Sequence, residues 1–279
     1  MKLPGTRVIL FNVAAGLVTV AAVVAVVRSL MHTPELAPCT ERYASGTMFA
    51  LEQGGVLLSS ADLQARLSGK DIGLGDNVRI ARVKDAPAPV ALGVTLAKGS
   101  VAPHVHNTAK GGVSFAWDPR SVRGKTAACL AYSVLLPAAF QFHHGGLLPG
   151  IRGSEDADQL KEGFMALLAW RRNGRLGATT FVDQRSGPVE VEPFAFPEGR
   201  WVKLEEEVVL NDPKKADGIL RVWVDGKLAI DRGDLVYRDR PEVTVTGVGA
   251  NVHYGHEDLA HGAPKDATLW LTPFEIRWK

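Results

Sequence analysis

The sequence predicts an all-β domain, a sandwich or jelly roll of two packed antiparallel sheets, preceded by one N-terminal transmembrane helix. Roughly ten short segments rich in β-branched and aromatic residues follow one another, separated by Gly, Pro, Asn or Asp. Helical periodicity is almost absent from these segments. A single long apolar run lies close to the N-terminus.

The N-terminal segment is expected to be a signal anchor. Val8 to Val27 carries no charge, and its length at about 1.5 Å per residue matches the roughly 30 Å of a bilayer's hydrocarbon core. A cleaved signal peptide is the alternative. Basic residues before the span favour a cytoplasmic N-terminus. We therefore expect an inner-membrane, single-pass anchor at residues 1–28, a linker at 29–45, and a domain at 46–279 in the periplasm or outside the cell.

The chain has 2 cysteines, Cys39 and Cys129, and two interpretations of them stay open. In an exported domain they would form a disulfide, which by the chain-entropy estimate contributes about 4 kcal/mol for a loop of this size. Otherwise they are two buried free thiols.

The elements follow the linker in order. One short helix is predicted at residues 59–67, with Ser60 as its N-cap. The predicted strands are 77–83, 90–96, 112–117, 128–136, 164–170, 178–182, 201–210, 218–224, 243–248 and 268–278.

The clearest hairpin surrounds Asp225-Gly226. This pair can adopt the positive φ angles that a type I′ turn needs. In the strand before the turn, Leu220, Val222 and Val224 occupy alternate positions and share one face, with Arg221 and Trp223 on the other.

Composition excludes several classes of protein. The 32 basic and 30 acidic residues give a net charge of +2, so no global field attracts nucleic acid and no such partner is expected. No phosphate loop, nucleophile elbow or paired-cysteine zinc motif occurs, and no cofactor is predicted. The charged stretch from Lys203 to Glu207 is interpreted as a solvated strand edge.

Five motifs occur in a fixed order: GGLLPG at residues 145–150, WRRNG at 170–174, GRW at 199–201, DGILRVWVDG at 217–226, and a closing segment at 263–276. In this order they resemble the family-14 polysaccharide lyases, the alginate and glucuronan lyase-like proteins. The resemblance spans roughly residues 77–279. It implies a concanavalin-like β-jelly roll whose concave sheet binds a glycan, and β-elimination chemistry where the catalytic residues are present.

β-Elimination needs a group that neutralises the uronate carboxylate, a base and an acid. The resemblance assigns these tasks to a Lys in the Gly-Gly loop, a Ser-x-Arg pair and two Tyr on the next strand. Here Leu147 stands at the Lys, Met165 and Leu167 at the Ser-x-Arg pair, and Thr180 and Val182 near the tyrosines. None of the five is an acid, a base or a cation, so the standard lyase residues are predicted to be missing.

Other polar residues offer alternative chemistry. His143 and His144 precede the Gly-Gly loop and can act as acid or base near neutral pH. They can equally be a polar strand end that hydrogen-bonds glycan or solvent. Arg152 and Arg171 can contact carboxylates through a guanidinium fork, and Tyr254 is the candidate acid for the leaving oxygen.

His104-Val105-His106 would place two imidazoles on one face of a strand, which is faintly similar to the first metal motif of cupins. A cupin also needs a Glu and a further His, and neither stands where that motif requires it. No metal site is therefore predicted.

Three functional hypotheses result. The first is a membrane-anchored polysaccharide-binding protein of the lyase-like fold, acting on an exopolysaccharide, acidic or neutral, through His104, His106, His143, His144, Arg152, Arg171 and Thr180. The second is an active lyase with a rearranged site built from His143, His144, Tyr254 and Arg171. The third is a metal-dependent cupin-like enzyme.

Overall fold

The computed structural model describes residues 20, 23, 36–67, 71–155, 162–183, 185–189, 194–255 and 258–279. The predicted transmembrane segment 8–27 lies outside this range except at Val20 and Val23. Within the range, no helix combines the length and the apolar character needed to cross a bilayer. Residues 37–279 form one compact unit.

The all-β prediction is confirmed. Strands are numbered in chain order, and all their pairings in the described part of the chain are antiparallel. Sheet I runs in the order β15 (Lys227–Leu235), β14 (Gly218–Val224), β13 (Trp201–Val209), β8 (Ala127–Leu135), β17 (Ala267–Leu271), β6 (Ala91–Leu96) and β5 (Val78–Ala81). In addition, β18 (Glu275–Trp278) pairs with β8, and β1 (Ser45–Met48) pairs with β18.

Sheet II runs in the order β12 (Arg185–Val189), β11 (Leu176–Val182), β10 (Gly163–Trp170), β9 (Gly146–Ser154), β16 (Thr244–Tyr254), β7 (Val113–Trp117) and β4 (Asp71–Ile72). A small hairpin joins β2 (Glu52–Gln53) and β3 (Val56–Leu57). The short helices are α1 (Cys39–Arg42), α2 (Ser60–Arg66) and α3 (Leu74–Asn77), with 3₁₀ turns at Arg120–Val122, Arg172–Gly174 and Leu259–His261.

The apolar core lies between sheets I and II. Alternate residues of each strand point into it, such as Leu130 and Val134 from β8 and Ala166 and Leu168 from β10. A core of this kind between two antiparallel layers is consistent with the predicted jelly roll.

Local sequence signals explain two of the elements. Asp225 and Gly226 have φ angles of 48° and 81°, as the predicted hairpin turn between β14 and β15 requires. Helix α2 is also present, but its N-cap is Ser59. The Ser59 hydroxyl accepts a hydrogen bond from the Asp62 N–H (3.1 Å), and the Asp62 carboxylate accepts one from the Ser59 N–H (2.8 Å), which forms a capping box.

Strand β9 was not predicted, because its glycines and Pro149 are unfavourable for a strand. The packing explains one of these glycines. A Cβ atom at Gly150 would lie 1.8 Å from the carbonyl oxygen of Ala166, so only glycine permits β9 to approach β10 this closely. Between Leu147 and Gly150 the register with β10 shifts, which indicates a bulge.

Two side chains of sheet I reach across the core to this bulge. The Tyr132 hydroxyl donates to the carbonyl of Pro149 (2.9 Å), and Glu206 accepts from the N–H of Ile151 (3.0 Å). Glu206 is fully buried, and burial raises the pKa of its carboxyl well above the ordinary value. The interpretation of residues 203–207 as a solvated edge was therefore wrong, because β13 lies between β14 and β8 inside sheet I.

The cysteines form a disulfide, Cys39–Cys129, which joins α1 to β8. Helix α1 lies within the stretch that was predicted as a linker. Arg42 makes two hydrogen bonds to the Glu207 carboxylate (3.0 and 2.7 Å), and the Tyr43 hydroxyl makes a third (2.7 Å). Burial alone would raise the pKa of Glu207, but these donors outweigh it and hold the pKa below its ordinary value. Residues 39–43 are thus tied to the outer face of sheet I.

Candidate functional site

The outer face of sheet II carries most of the residues that the resemblance relates to catalysis. Core residues such as Leu148, Leu168 and Ala178 alternate along the strands with residues that point away from the core. Backbone pairing aligns these outward-pointing residues in three rows that cross β16, β9, β10 and β11. The first row is His253, Leu147, Ala169 and Gly177, the second is Gly249, Gly150, Leu167 and Thr179, and the third is Gly247, Arg152, Met165 and Phe181.

The middle of this face is apolar. Leu147, Leu167 and Ala169 form a buried cluster separate from the core, and Met165 and Phe181 pack against it. We call these five residues the outer apolar cluster. The Leu167 side chain lies over Gly249, since a Cβ at Gly249 would meet the Leu167 Cδ2 atom at 3.6 Å. None of the five side chains can transfer a proton or carry a charge.

The structure changes which β11 residues belong to this face. Val182 packs against the core and Ala178 is part of it, so Thr180 between them lies on the core side. The Thr180 hydroxyl donates to the carbonyl of Gly187 (3.3 Å). The outward positions are instead Thr179 and Phe181, and a phenyl ring offers no hydroxyl. Neither the core-side pair, Thr180 and Val182, nor the outward pair, Thr179 and Phe181, contains a tyrosine.

A buried ion pair flanks the cluster on one side. Arg152 is 2% exposed, and its Nη1 atom lies 2.7 Å from the Asp118 Oδ2 atom. Burial raises the pKa of the Asp118 carboxyl, and the guanidinium of Arg152 opposes the increase. Arg152 thus lies on the predicted face, but its charge is already matched by a carboxylate.

Arg171 flanks the cluster on the other side. Its Nη2 atom donates to the carbonyl of Ala178 (2.6 Å) and to the Thr179 hydroxyl (2.9 Å). A Cβ at Gly177 would lie 2.6 Å from the Arg171 Nε atom, so glycine makes room for this side chain. Arg171 is therefore fixed along β11 while remaining partly exposed.

Sequence reasoning missed the polar residues of β16 and β7. Asn251 and His253 alternate with the core residues Ala250 and Val252, so they point to the outer face. The Ser114 hydroxyl donates to the Asn251 Oδ1 atom (2.6 Å). The alternation within β16 is the signal that could have identified this pair.

His143 and His144 lie at the end of the sheet, in the turn that leads into β9, and both are exposed. Their ring centroids are 4.3 Å apart, and His144 stacks on His261 at 4.1 Å. Arg172 donates from Nη2 to the His144 Nδ1 atom (3.1 Å). The structure thus brings the two predicted histidines together with a third, His261.

Tyr254 does not face the site. Its ring is 1% exposed and packs between Phe140 and Trp170, with centroid distances of 5.5 and 5.2 Å. Its hydroxyl donates to the carbonyl of Gln141 (2.6 Å), and burial raises its pKa above the ordinary value. An acid for a leaving oxygen must reach the outer face, so this candidate is wrong.

His104 and His106 lie in exposed turns and not on a strand, so the arrangement expected for a cupin motif is absent. Among the described residues, one group of at least three has metal-ligating atoms within 4.8 Å of one another, and it is Cys39, Cys129 and Glu205. Two of its members are engaged in the disulfide.

Comparison with known proteins identifies solved structures with a similar fold. No curated protein matches the chain. The structure is similar to a marine alginate lyase from Aplysia kurodai, with 21% identity, coverage of 79% of this chain and 95% of that chain, and a TM-score of 0.66. It is also similar to a mutant alginate lyase in complex with an alginate trisaccharide, with 14% identity, coverage of 85% of this chain and 99% of that chain, and a TM-score of 0.59. A third similar structure is an endo-β-1,4-glucuronan lyase from the fungus Trichoderma reesei, with 13% identity, coverage of 73% of this chain and 91% of that chain, and a TM-score of 0.51.

These TM-scores, all above 0.5, show a shared fold. The sequence profile of polysaccharide lyase 14 matches residues 85–192 and 188–274, which together make up more than half of the chain. The chain therefore belongs to polysaccharide lyase family 14.

Proposed function

We propose that this domain binds a polysaccharide on the outer face of sheet II and does not cleave it by the standard β-elimination route. The observation that supports this most is the outer apolar cluster. Leu147 and Leu167 stand where the resemblance places a lysine and an arginine, and Phe181 takes the outward position between Thr180 and Val182, the two residues that the resemblance set near the tyrosines. A C5 proton cannot be removed, nor a carboxylate neutralised, by these side chains.

The surroundings of the cluster suit a sugar chain. Phe181 and Met165 are partly exposed and give an apolar surface for the faces of sugar rings. Arg171 and Asn251 supply hydrogen-bonding groups on either side. Similar folds include alginate and glucuronan lyases, so polyuronates are the first ligands to test.

Binding and cleavage are tested on the same preparation. Calorimetric titration with alginate, glucuronan and a neutral β-glucan measures binding, and ultraviolet absorbance of the unsaturated product measures cleavage. We expect saturable binding of at least one glycan without product formation. Steady product release by the unmodified chain would support the rearranged lyase instead, and the absence of binding to all three would contradict the proposal.

A substitution locates the binding face. Phe181→Ala should weaken glycan binding about two- to tenfold, because one aromatic contact contributes about 0.5–1.5 kcal/mol. Met165→Ala on the same face is compared with Met48→Ala on sheet I, where Met48 is 57% exposed. If Met48→Ala weakened binding and Met165→Ala did not, the glycan would bind elsewhere.

We also propose that residues 8–27 anchor the domain to the inner membrane, with the domain outside the cytoplasm. The Cys39–Cys129 disulfide supports an oxidising compartment. Membrane fractionation followed by protease treatment of spheroplasts tests this location. Release of the chain by an alkaline carbonate wash, or protection of the domain from protease, would contradict it.

A further inference from the structure

A cavity of about 260 Å³ opens on the outer face of sheet I. It lies where β17 ends at Leu271 and β18 begins at Glu275, so neither strand pairs with the part of β8 between them. Pro273 separates the two strands, because it has no N–H to donate to a sheet. Two small residues of β8, Ala131 and Ser133, line the cavity and alternate with core residues, so they point outward. We call this space the sheet I cavity.

Two buried hydroxyl groups line the sheet I cavity. Ser133 and Thr272 are each 7% exposed. The Thr272 Oγ1 atom accepts from the Ser133 N–H (2.8 Å), which leaves the hydrogen of the Thr272 hydroxyl for another acceptor. Within the described part of the chain the Ser133 hydroxyl has no hydrogen-bond partner. Hydroxyls this deeply buried are nearly always hydrogen-bonded, so both point to a partner that enters the cavity.

The charged residues of the cavity are already matched within the protein. Lys203 lies beside Ser133 on β13, and its Nζ atom is 2.5 Å from the Glu205 Oε1 atom. The Oε1 atom of Glu275 accepts from Arg277 (2.7 Å), which leaves the second carboxylate oxygen of Glu275 as an acceptor for a ligand. A charged ligand would find no unmatched opposite charge among these groups. The cavity therefore favours a neutral ligand that both donates and accepts hydrogen bonds.

Apolar groups complete the lining. Pro87 and Ala88, from the loop between β5 and β6, line the cavity together with Pro273, as does Met48, which is 57% exposed. Hydroxyl partners beside apolar surface suit a sugar ring, which presents hydroxyl groups at its edge and C–H groups on its faces. The volume is below the roughly 300–1,000 Å³ of pockets for drug-sized ligands, so the cavity suits one ring and not a length of chain.

We propose that the sheet I cavity binds one residue of a neutral glycan. Ser133 and Thr272 donate to hydroxyl oxygens of the sugar, and Glu275 accepts from one of its hydroxyl groups. This is a second sugar site, on the outer face of the opposite sheet from the face proposed for the polysaccharide. A single ring cannot contact both faces, so the proposal does not rest on binding at sheet II.

The test uses the full-length chain and three neutral trisaccharides, cellotriose, laminaritriose and mannotriose. Saturation-transfer difference NMR detects weak binding, and a titration gives the dissociation constant. We expect at least one trisaccharide to bind, with an affinity that stays unchanged from about 50 mM to about 500 mM NaCl, because a neutral ligand forms no ion pair for salt to screen. An alginate trisaccharide is the charged comparison. Absence of binding by all three neutral sugars, or tighter alginate binding that is lost in Ser133→Ala, would overturn the proposal.

Two variants place the sugar in the cavity. Ser133→Ala should weaken trisaccharide binding about two- to tenfold, as the loss of one hydrogen bond predicts. Ala131→Leu keeps both hydroxyls but fills the cavity, so it should abolish binding. The matched control is Thr95→Ala, which removes an exposed hydroxyl from β6 on the same face. Thermal unfolding shows whether Ala131→Leu is folded, and if it is not, Ser133→Ala decides the test.

The two glycan sites fail separately. Weaker trisaccharide binding in Phe181→Ala with unchanged binding in Ser133→Ala would place the sugar on sheet II and overturn the cavity as a site. Loss of polysaccharide affinity in Met48→Ala, with none in Met165→Ala, would instead leave the sheet I cavity as the glycan site and overturn the proposal for sheet II.

Discussion

The double variant Cys39→Ala/Cys129→Ala is expected to have a free energy of unfolding about 4 kcal/mol lower than that of the native chain. The disulfide closes a loop with a sequence separation of 90, and such a cross-link removes much of the conformational entropy of the unfolded state. Both cysteines are fully buried, so alanine replaces them without placing a new polar group in the interior. Chemical denaturation followed by tryptophan fluorescence measures the change.

Reduction provides the control for this prediction. A reducing agent should lower the stability of the native chain by a similar amount and leave the double variant unchanged. Arg42 and Tyr43 still hydrogen-bond Glu207 in the variant, so the fold itself should persist. Equal unfolding curves for the native chain and the double variant would show that the cross-link contributes nothing.

Glu206→Gln is expected to remove a strong pH dependence of stability. The buried Glu206 carboxyl has a pKa well above its ordinary value because of desolvation. In the unfolded chain the proton leaves above about pH 4.3, whereas the folded state retains it. The folded state therefore holds more protons, and stability falls as pH rises, by up to about 1.4 kcal/mol per pH unit until the folded pKa is reached.

The measurement compares free energies of unfolding at pH 5, 6 and 7. The native chain should lose stability relative to Glu206→Gln over this window. Glu198→Gln, at an exposed glutamate, serves as the matched control and should follow the native chain. Parallel curves for the native chain and Glu206→Gln would mean that Glu206 is ionised in the fold, in contradiction to the prediction.

The strands could be predicted where residues alternate between core and surface. The predicted last strand, 268–278, is divided into β17 and β18 at Pro273, which has no N–H to donate to a sheet. Strand β9 could not be predicted from propensity, because its glycines serve a close approach to β10 that involves residues distant in sequence. The acidic stretch of β13 was misinterpreted for a similar reason, since its partners in α1 and β9 lie far along the chain.

The site could be predicted in part. The resemblance identified Leu147 and Leu167, which lie together on the outer face of sheet II. It placed the β11 positions one residue too late, and only the backbone register assigns Thr179 and Phe181 to that face. Tyr254 was selected as the available tyrosine, although its strand directs it into the core. His261 could not be linked to His143 and His144, because loop contacts leave no periodic pattern in the sequence.

The position of the cross-link has a mechanical consequence. Cys129 lies in β8, which has neighbours on both sides within sheet I, whereas β1 pairs with β18 alone. A pulling force applied at the N-terminus would otherwise peel β1 away one hydrogen bond at a time. Through Cys39 the load instead passes by a covalent bond to an interior strand, where many hydrogen bonds must shear together before the domain yields.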